Sequence, residues 1–380
     1  MKGAFLYVDA GKGHYIPAVA LADAFKDMGH EAVVEDLYIA FKRPFFRWVS
    51  KYYWRFLLHH TNFEKKIEKV LDHKSAHTSL INLSKNKRAL RHFKAWFLKE
   101  KPDFLLSTNF MGGTLLPAII KKIGIDCPVY DYAADLFDQV YAGIDNEMTM
   151  CYVSTALGVE HIVEMGQDPA KTKLCPFPLS KKFEVSQKLS KQEARAKLGL
   201  KDKFTVLWNL GGEGIGNPKL LYGLVERGLD VQVVVVGGKS KSTELEFNKF
   251  KEKHPDFDLH MMGFVKNIQD YIMACDLQMG KAGANSLMES LYLKRPFLVS
   301  EVLYMARSTQ LFFDKHPVGW TSDDLEEKLD IIEKAYKDPE VLKKIDAELQ
   351  NLPVDFSAPH FAEMLIQDTL EYRKTHSKNY

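Results

Sequence analysis

The chain has 380 residues, 46% of them hydrophobic and 27% charged, a composition that excludes wholesale disorder and a multi-span membrane protein. Its length exceeds what one ordinary core organises and implies two domains. With 52 basic against 50 acidic side chains, the net charge of +2 gives no global attraction to nucleic acid, so a charged partner must meet a local patch.

After Met1, Lys2 and Gly3, the run AFLYV reads as a buried strand ending at Asp9, too short for a signal-peptide core or a membrane span. The loop Gly11-Lys12-Gly13-His14 follows. Next, Ile16, Val19, Ala20, Ala24 and Met28 recur at helical spacing up to a stop at Gly29, and EAVVEDLY returns to a strand pattern. Strand, loop, helix and strand in this order predict a right-handed crossover with parallel strands.

The stretch FKRPFFRWVSKYYWRFLLHH, residues 41–60, contains no acid. Written as a helix, it aligns Arg43, Arg47, Lys51, Arg55 and His59 along one side, beside a face of Phe45, Trp48, Val49, Tyr52 and Phe56. Cations with interfacial aromatics suit an anionic bilayer surface, which is the preferred reading. Packing of the aromatics into the domain and stacking on nucleic-acid bases are the alternatives. RALRHFKAWFLKEKP offers a second basic and aromatic surface.

PDFLLST, the GGTLLPAIIKK helix, CPVYDY, and TMCYVS with a helix ending near Gly166 complete a first α/β domain, residues 1–176. The interval from Pro176 to Leu200 has two prolines and many lysines, so residues 177–200 read as a linker merging into a surface helix. The rhythm then restarts with FTVLWNL, VQVVVVGG, LHMMGF, CDLQMG and PFLVS as strands, giving a second α/β domain over 201–354. A helical tail, 355–380, is expected to return toward the first domain. Cys127, Cys151, Cys175 and Cys275 are far apart and form no CxxC pair, which fits a reducing, cytoplasmic compartment.

Three segments carry candidate chemistry. GKGH lies between a strand and a helix, where backbone donors and a helix N-terminus favour an anion, yet it lacks the third glycine of a dinucleotide loop and any GKS or GKT ending. A tight structural turn explains it equally well. LWNLGGEGIGNP places Gly211, Gly212, Gly214 and Gly216 after an apolar strand, a density that costs chain entropy unless a turn or a close ligand requires it. MGKAGANSLMES joins Gly280, Lys281 and Gly283 to a helix carrying Ser286 and Glu289; a carboxylate there can accept bonds from ribose hydroxyls, or can simply decorate the helix.

In this order the three segments resemble the GT-B glycosyltransferases of the branch that contains monogalactosyldiacylglycerol synthase and the processive diacylglycerol glucosyltransferases. The residues that carry the resemblance are Gly11, Gly13, His14 and ALADAF, then Gly211, Gly212 and Gly214, and then GFVKNIQDYIMACDLQMGKAGANSLMES with Gly263, Phe264, Val265, Lys281, Gly283 and Glu289. The last run is the most specific. The resemblance implies an α/β fold of GT-B type, two Rossmann-like domains facing across a cleft, with a UDP-sugar as donor, no cofactor and no metal requirement. It places Gly263, Phe264 and Val265 around the base, Glu289 on ribose, and the glycines near Gly212 with Ser286 on the diphosphate.

Two departures stand out against that family. It carries an aspartate followed four or five residues later by a catalytic histidine, whereas VYDYAADLFDQVY has Asp131 and Asp135 and no histidine. Asp135 is the expected base, with Asp131 and His14 as further catalytic candidates and Asp138 as a rival. The family's glutamine-glutamate pair is also missing after PFLVS, leaving Arg307, Ser308 and Gln310 as donor-sugar candidates. Gly13, Arg43, Arg47, Trp48, Lys51, Tyr52 and Arg55 are expected on the acceptor or membrane side. The expected activity is inverting transfer of a hexosyl group from a UDP-sugar to a lipid such as diacylglycerol or a glycolipid, at the inner face of the cell membrane and without nucleic acid. A nucleotide-sugar epimerase, or a binding protein that has lost catalysis, is the alternative.

Overall fold

The computed structural model describes residues 1–376 apart from 11, 187, 213, 215, 239, 282, 305 and 306. The chain forms two compact units: unit 1 is Met1–Ser180 with Val354–Tyr380, and unit 2 is Lys181–Pro353.

Unit 1 contains strands β1 (Lys2–Tyr7), β2 (Glu31–Asp36), β3 (Phe104–Ser107), β4 (Val129–Tyr132), β5 (Met150–Val153) and β6 (Thr172–Leu174). They form one parallel sheet in the order β2-β1-β3-β4-β5-β6. Its helices are α1 (Tyr15–Asp27), α2 (Leu37–Ala40), α3 (Pro44–His59), α4 (Thr61–Leu71), α5 (Lys74–Leu83), α6 (Lys87–Glu100), α7 (Phe110–Ile123) and α8 (Ala156–Glu164). Every residue of β3 and β4 is buried, as strands covered on both faces require.

The alanines of α1 let it lie close to the sheet, where Phe25 meets Phe5 and Phe104 edge-on at centroid distances of 5.8 and 5.5 Å. Local polar bonds set the helix starts. Asn109 accepts from Met111 N–H at α7, and Thr155 accepts from Gly158 N–H at α8. Gly124 ends α7 in the left-handed conformation at φ 66°. Helices α4 and α5 occupy the stretch between the two basic segments read from the sequence.

Unit 2 contains β7 (Thr205–Asn209), β8 (Gln232–Val236), β9 (Leu259–Gly263), β10 (Leu277–Lys281), β11 (Phe297–Glu301) and β12 (Gly319–Thr321), parallel in the order β12-β11-β10-β7-β8-β9. Its helices are α9 (Lys182–Ser186), α10 (Lys191–Leu198), α11 (Lys219–Glu226), α12 (Lys241–Lys253), α13 (Ile268–Ala274), α14 (Ala284–Tyr292), α15 (Thr309–Lys315), α16 (Leu325–Lys337) and α17 (Pro339–Gln350). The interval read as a linker is largely part of this unit. A capping box of Ser190 and Glu193 starts α10. Buried Arg195 then ties that helix to Asp202, Asp276 and the Ala274 carbonyl. A lysine-rich surface hid one anchoring arginine.

After unit 2 the chain re-enters unit 1 as α18 (Ala358–His376), whose Phe361, Ala362 and Leu365 join the core of Phe5, Phe25, Tyr132 and Tyr152. All four cysteines are free and buried. No helix among the described residues is long and apolar enough to cross a membrane.

Candidate functional site

Each sheet reverses its order beside its first strand, and in open α/β sheets the carboxyl ends of the strands flanking such a point are where ligands bind. In unit 2 the reversal falls between β7 and β10. Gly211 and Gly214, at φ 66° and 73°, turn the chain sharply after β7. Gly238 N–H, after β8, donates to the Gly211 carbonyl at 2.7 Å, and a Cβ on Gly238 would sit 2.2 Å from the Gly212 carbonyl oxygen. The two glycine loops therefore stack backbone on backbone.

Gly212 behaves differently: a Cβ there would meet nothing within 4 Å. Asn209, at the end of β7, accepts from Gly211 N–H at 3.0 Å, and its amide donates to Ser286 Oγ at 3.3 Å. That side chain locks the glycine loop to α14. Among the described residues no side chain caps α14 at Gly283, and the positive dipole end of that helix favours an anion. The Lys281 stem lies against Gly211, 3.0 Å from where a Cβ would be. Backbone donors, a helix N-terminus and a lysine thus converge on one point, a set suited to a diphosphate.

Glu289 lies one turn after Ser286 on α14 and is buried; burial pushes its carboxyl up to about 7, partly offset by Lys182. Gly263, at φ 68°, accepts from Gly237 N–H at 2.8 Å and turns the chain so that Phe264 is 75% exposed, with Val265 half-buried beside it. An exposed aromatic on a turn anchored to the glycine loops can stack on a planar ring.

In unit 1 the reversal falls between β1 and β3. His14, just before α1, places Nδ1 2.7 Å from the Thr108 carbonyl, and Thr108 Oγ1 donates to the His14 carbonyl at 2.7 Å. A carbonyl partner requires the proton on Nδ1, which leaves Nε2 as the second ring nitrogen for a ligand. Gly13 is exposed, and a Cβ there would meet nothing within 4 Å; Gly11 lies outside the described residues.

The three acids after Tyr130 have three different environments. Asp131, in β4, is fully buried; burial pushes it up to about 8, the Asp135 charge pushes the same way, and a bond from Gln139 opposes them. Its Oδ1 has no partner, and Gly113 makes room for it, since a Cβ there would lie 2.7 Å from Asp131 Cγ. Asp138 is buried, with Oδ1 3.6 Å from His161 Nδ1. Asp135 is half-buried in the turn after β4, next to Leu136, whose φ of 64° is rare for a non-glycine residue. Thr155 Oγ1 holds that strained residue by its carbonyl at 2.6 Å. Of the three, Asp135 is the most exposed to solvent.

Helix α3 exposes Phe45, Phe46, Trp48, Tyr52 and Phe56, each by about half or more. Trp48 packs against Phe45 and Tyr52, while Lys51 and Arg55 are exposed. Arg47 departs from its expected free position: its guanidinium turns inward, 3.1 Å from Asp9 Oδ2 and 3.7 Å from buried Asp36. Arg43, before the first turn, is half-buried.

The donor-sugar candidates are likewise engaged. Arg307 stacks on Tyr304 at 4.2 Å, Ser308 is buried at the start of α15, and Gln310 bonds Asp314 and Thr321. Among the described residues no group of three or more metal-ligating side chains occurs. A cavity of about 560 Å³ between α6 and α18 lies at the opposite, amino-terminal end of the unit 1 sheet, where its Asp126 and Asp103 already hold Tyr372 and Arg373.

Sequence reasoning missed Asn209, Thr108, Gly113 and Gly238. Only the glycine pair ending VQVVVVGG offered a signal, because the others act through partners far away in the chain.

Two parallel α/β units with the final helix returned to the first constitute a GT-B fold. It is shared with UDP-GlcNAc 2-epimerase from Neisseria meningitidis bound to UDP-GlcNAc (TM-score 0.61, 11% identity, 98% of this chain and 100% of that one). Sucrose-phosphate synthase from Thermosynechococcus elongatus is similar too (0.59, 12%, all of both chains). Residues 217–310 match the glycosyltransferase family 28 C-terminal domain. The processive diacylglycerol beta-glucosyltransferase of Bacillus pumilus is 23% identical over 383 residues, covering 98% of this chain and 97% of that protein. The chain is thus a GT-B-fold relative, at low identity, of the family 28 and diacylglycerol-glucosyltransferase branch.

Proposed function

We propose that the protein is an inverting glycosyltransferase that moves a hexosyl group from a UDP-sugar to the hydroxyl of a membrane lipid such as diacylglycerol or a glycolipid. The observation that carries this reading is the end-to-end similarity to the Bacillus pumilus glucosyltransferase. The exposed aromatic and basic face of α3, which suits a bilayer interface, supports it.

In this reading Gly263, Phe264 and Val265 hold the base and Glu289 the ribose. Gly211, Gly212, Gly214, Lys281, Gly283 and Ser286 surround the diphosphate. Asp135 removes the proton from the acceptor hydroxyl as its oxygen attacks the anomeric carbon. The bond from that carbon to the diphosphate oxygen breaks on the opposite side, and the backbone donors and Lys281 take up the charge of the departing UDP. His14 assists on the acceptor side. Asp131, held neutral by burial below about pH 8, adds no second charge beside Asp135 and serves as a positioning residue.

The likeness to the Neisseria meningitidis epimerase favours a second reading, interconversion of UDP-sugars. Incubation with labelled UDP-sugars and a total lipid extract separates the two. Labelled glycolipid is the expected product, whereas interconverted nucleotide sugar without glycolipid would establish the epimerase. For the membrane partner, co-sedimentation with anionic vesicles is expected to exceed that with neutral ones and to fall with added salt. Equal, negligible binding to both rejects a membrane acceptor.

A further inference from the structure

Unit 1 contains a cavity of about 300 Å³ outside the site described above, where α2, the start of α3, the α5–α6 turn, α6 and α7 meet. Leu37, Phe41, Leu90, Leu115 and Ile119 supply apolar wall. Phe46 and Leu83, 48% and 58% exposed, also line it and mark its opening to solvent. Arg43 stands at the same cavity, and among the described residues no carboxylate lines it. At the α7 side, Tyr38 donates to Met111 Sδ at 3.8 Å.

We propose that this cavity takes one acyl chain of a membrane lipid, with the lipid's polar end beside Arg43. The inference deepens the lipid-acceptor reading and rests on it. Three observations favour this occupant over a peptide or a second copy of the chain. The first is continuity: Phe46 stacks on Tyr38 inside the cavity at 6.4 Å and also contacts Phe45, which stacks on Trp48 of the exposed α3 face. A hydrocarbon chain leaving a bilayer at that face meets Phe46 first, on the side of the mouth away from Asn82, Ser84 and Asn86 of the α5–α6 turn.

The second is size. A methylene fills about as much space as a water, ~30 Å³, so the volume accepts on the order of ten carbons of one chain. The third is charge: a cation with no acid among the described lining residues suits the oxygen-rich or anionic head of a lipid. The placement also serves the reaction, because α7 carries Met111, Leu115 and Ile119 of the cavity and begins just after Thr108, the partner of His14.

The test titrates the full chain with monoacylglycerols of six to fourteen carbons, below their micellar concentrations, by calorimetry. Affinity is expected to rise up to about fourfold per added carbon, from ~0.8 kcal/mol per buried methylene, and to level off at roughly ten carbons, the number the volume accepts. Ala89→Trp, which fills the half-buried α6 wall, is expected to weaken binding of the ten-carbon ligand at least tenfold and to leave UDP affinity unchanged. Should that variant fail to fold, Leu83→Asp at the exposed mouth is expected to weaken it in the same direction.

Affinity independent of chain length, or parental affinity in both variants, overturns the proposal. So does a dimer in sedimentation that dissociates on adding lipid, which assigns the groove to a second copy. The two readings fail separately. Sugar transfer indifferent to acyl length removes this cavity and keeps the transferase, whereas chain-length-dependent binding without transfer does the reverse.

Discussion

The carboxyl ends of the two sheets are built on the same strand logic and furnished in opposite ways. In unit 2 the polar groups are mostly backbone: glycine loops stacked on each other, a helix N-terminus, and Lys281 laid across Gly211. In unit 1 they are side chains with proton chemistry, His14 bonded to Thr108 and Asp135 beside the buried Asp131. Fixed dipoles stabilise a charge without moving a proton, whereas a titrating side chain moves a proton and stabilises charge less well. On the proposed reading this difference divides the labour: unit 2 holds the anion and unit 1 does the acid–base work.

The sharpest way to break that division is Asp135→Asn. Turnover is expected to fall by about 10²- to 10⁴-fold while UDP affinity in calorimetry stays at the parental value. Parental turnover would remove Asp135 from the mechanism, and a matching loss of UDP affinity would contradict the division between the units.

A pair of glycine variants then separates ligand approach from fold. Gly212→Ala meets no protein atom within 4 Å, so its thermal transition should match the parent while UDP binds about tenfold more weakly, ~1.4 kcal/mol. Gly238→Ala drives a Cβ into the Gly212 carbonyl and should be destabilised by roughly 1–3 kcal/mol. Unchanged UDP affinity in Gly212→Ala would move the diphosphate away from this loop.

The effect confined to one pH window concerns Asp131. Burial raises it to about 8, against ~3.9 in an unfolded chain. The native state then keeps a proton that the unfolded state has released, so the contribution is full below about pH 4 and is lost as pH rises through about 8. Asp131→Asn abolishes that slope. Its melting temperature should equal the parent's near pH 4 and exceed it increasingly toward pH 8, by on the order of ten degrees; a difference that does not vary with pH refutes the assignment.

Much of this was legible in the sequence wherever the pattern is local. The strands AFLYV, FTVLWNL and VQVVVVGG, the Ala-rich α1 and the glycine run at 211–214 announce themselves through composition and period. What stayed hidden depends on pairing across the chain. Arg47 looked like one of four cations on a free helical side, but Asp9 and Asp36 were needed to turn it inward. Asp131, Asp135 and Asp138 are alike as letters; Gly113, the strained Leu136 and His161 make them different as acids. The lysines of 177–200 read as a connector because buried Arg195 finds its partners Asp202 and Asp276 only in the folded unit.

Helix α18 imposes an order on biosynthesis. Unit 2 is delivered whole by a contiguous stretch of chain, while the unit 1 core of Phe25, Tyr132 and Tyr152 stays incomplete until residues 358–376 have emerged. A growing polypeptide thus carries an uncovered aromatic face through the synthesis of the entire second unit, a window of roughly ten to forty seconds at the usual pace of translation. In that interval the nascent chain is a client for chaperones, and the earliest element made is finished by one of the latest.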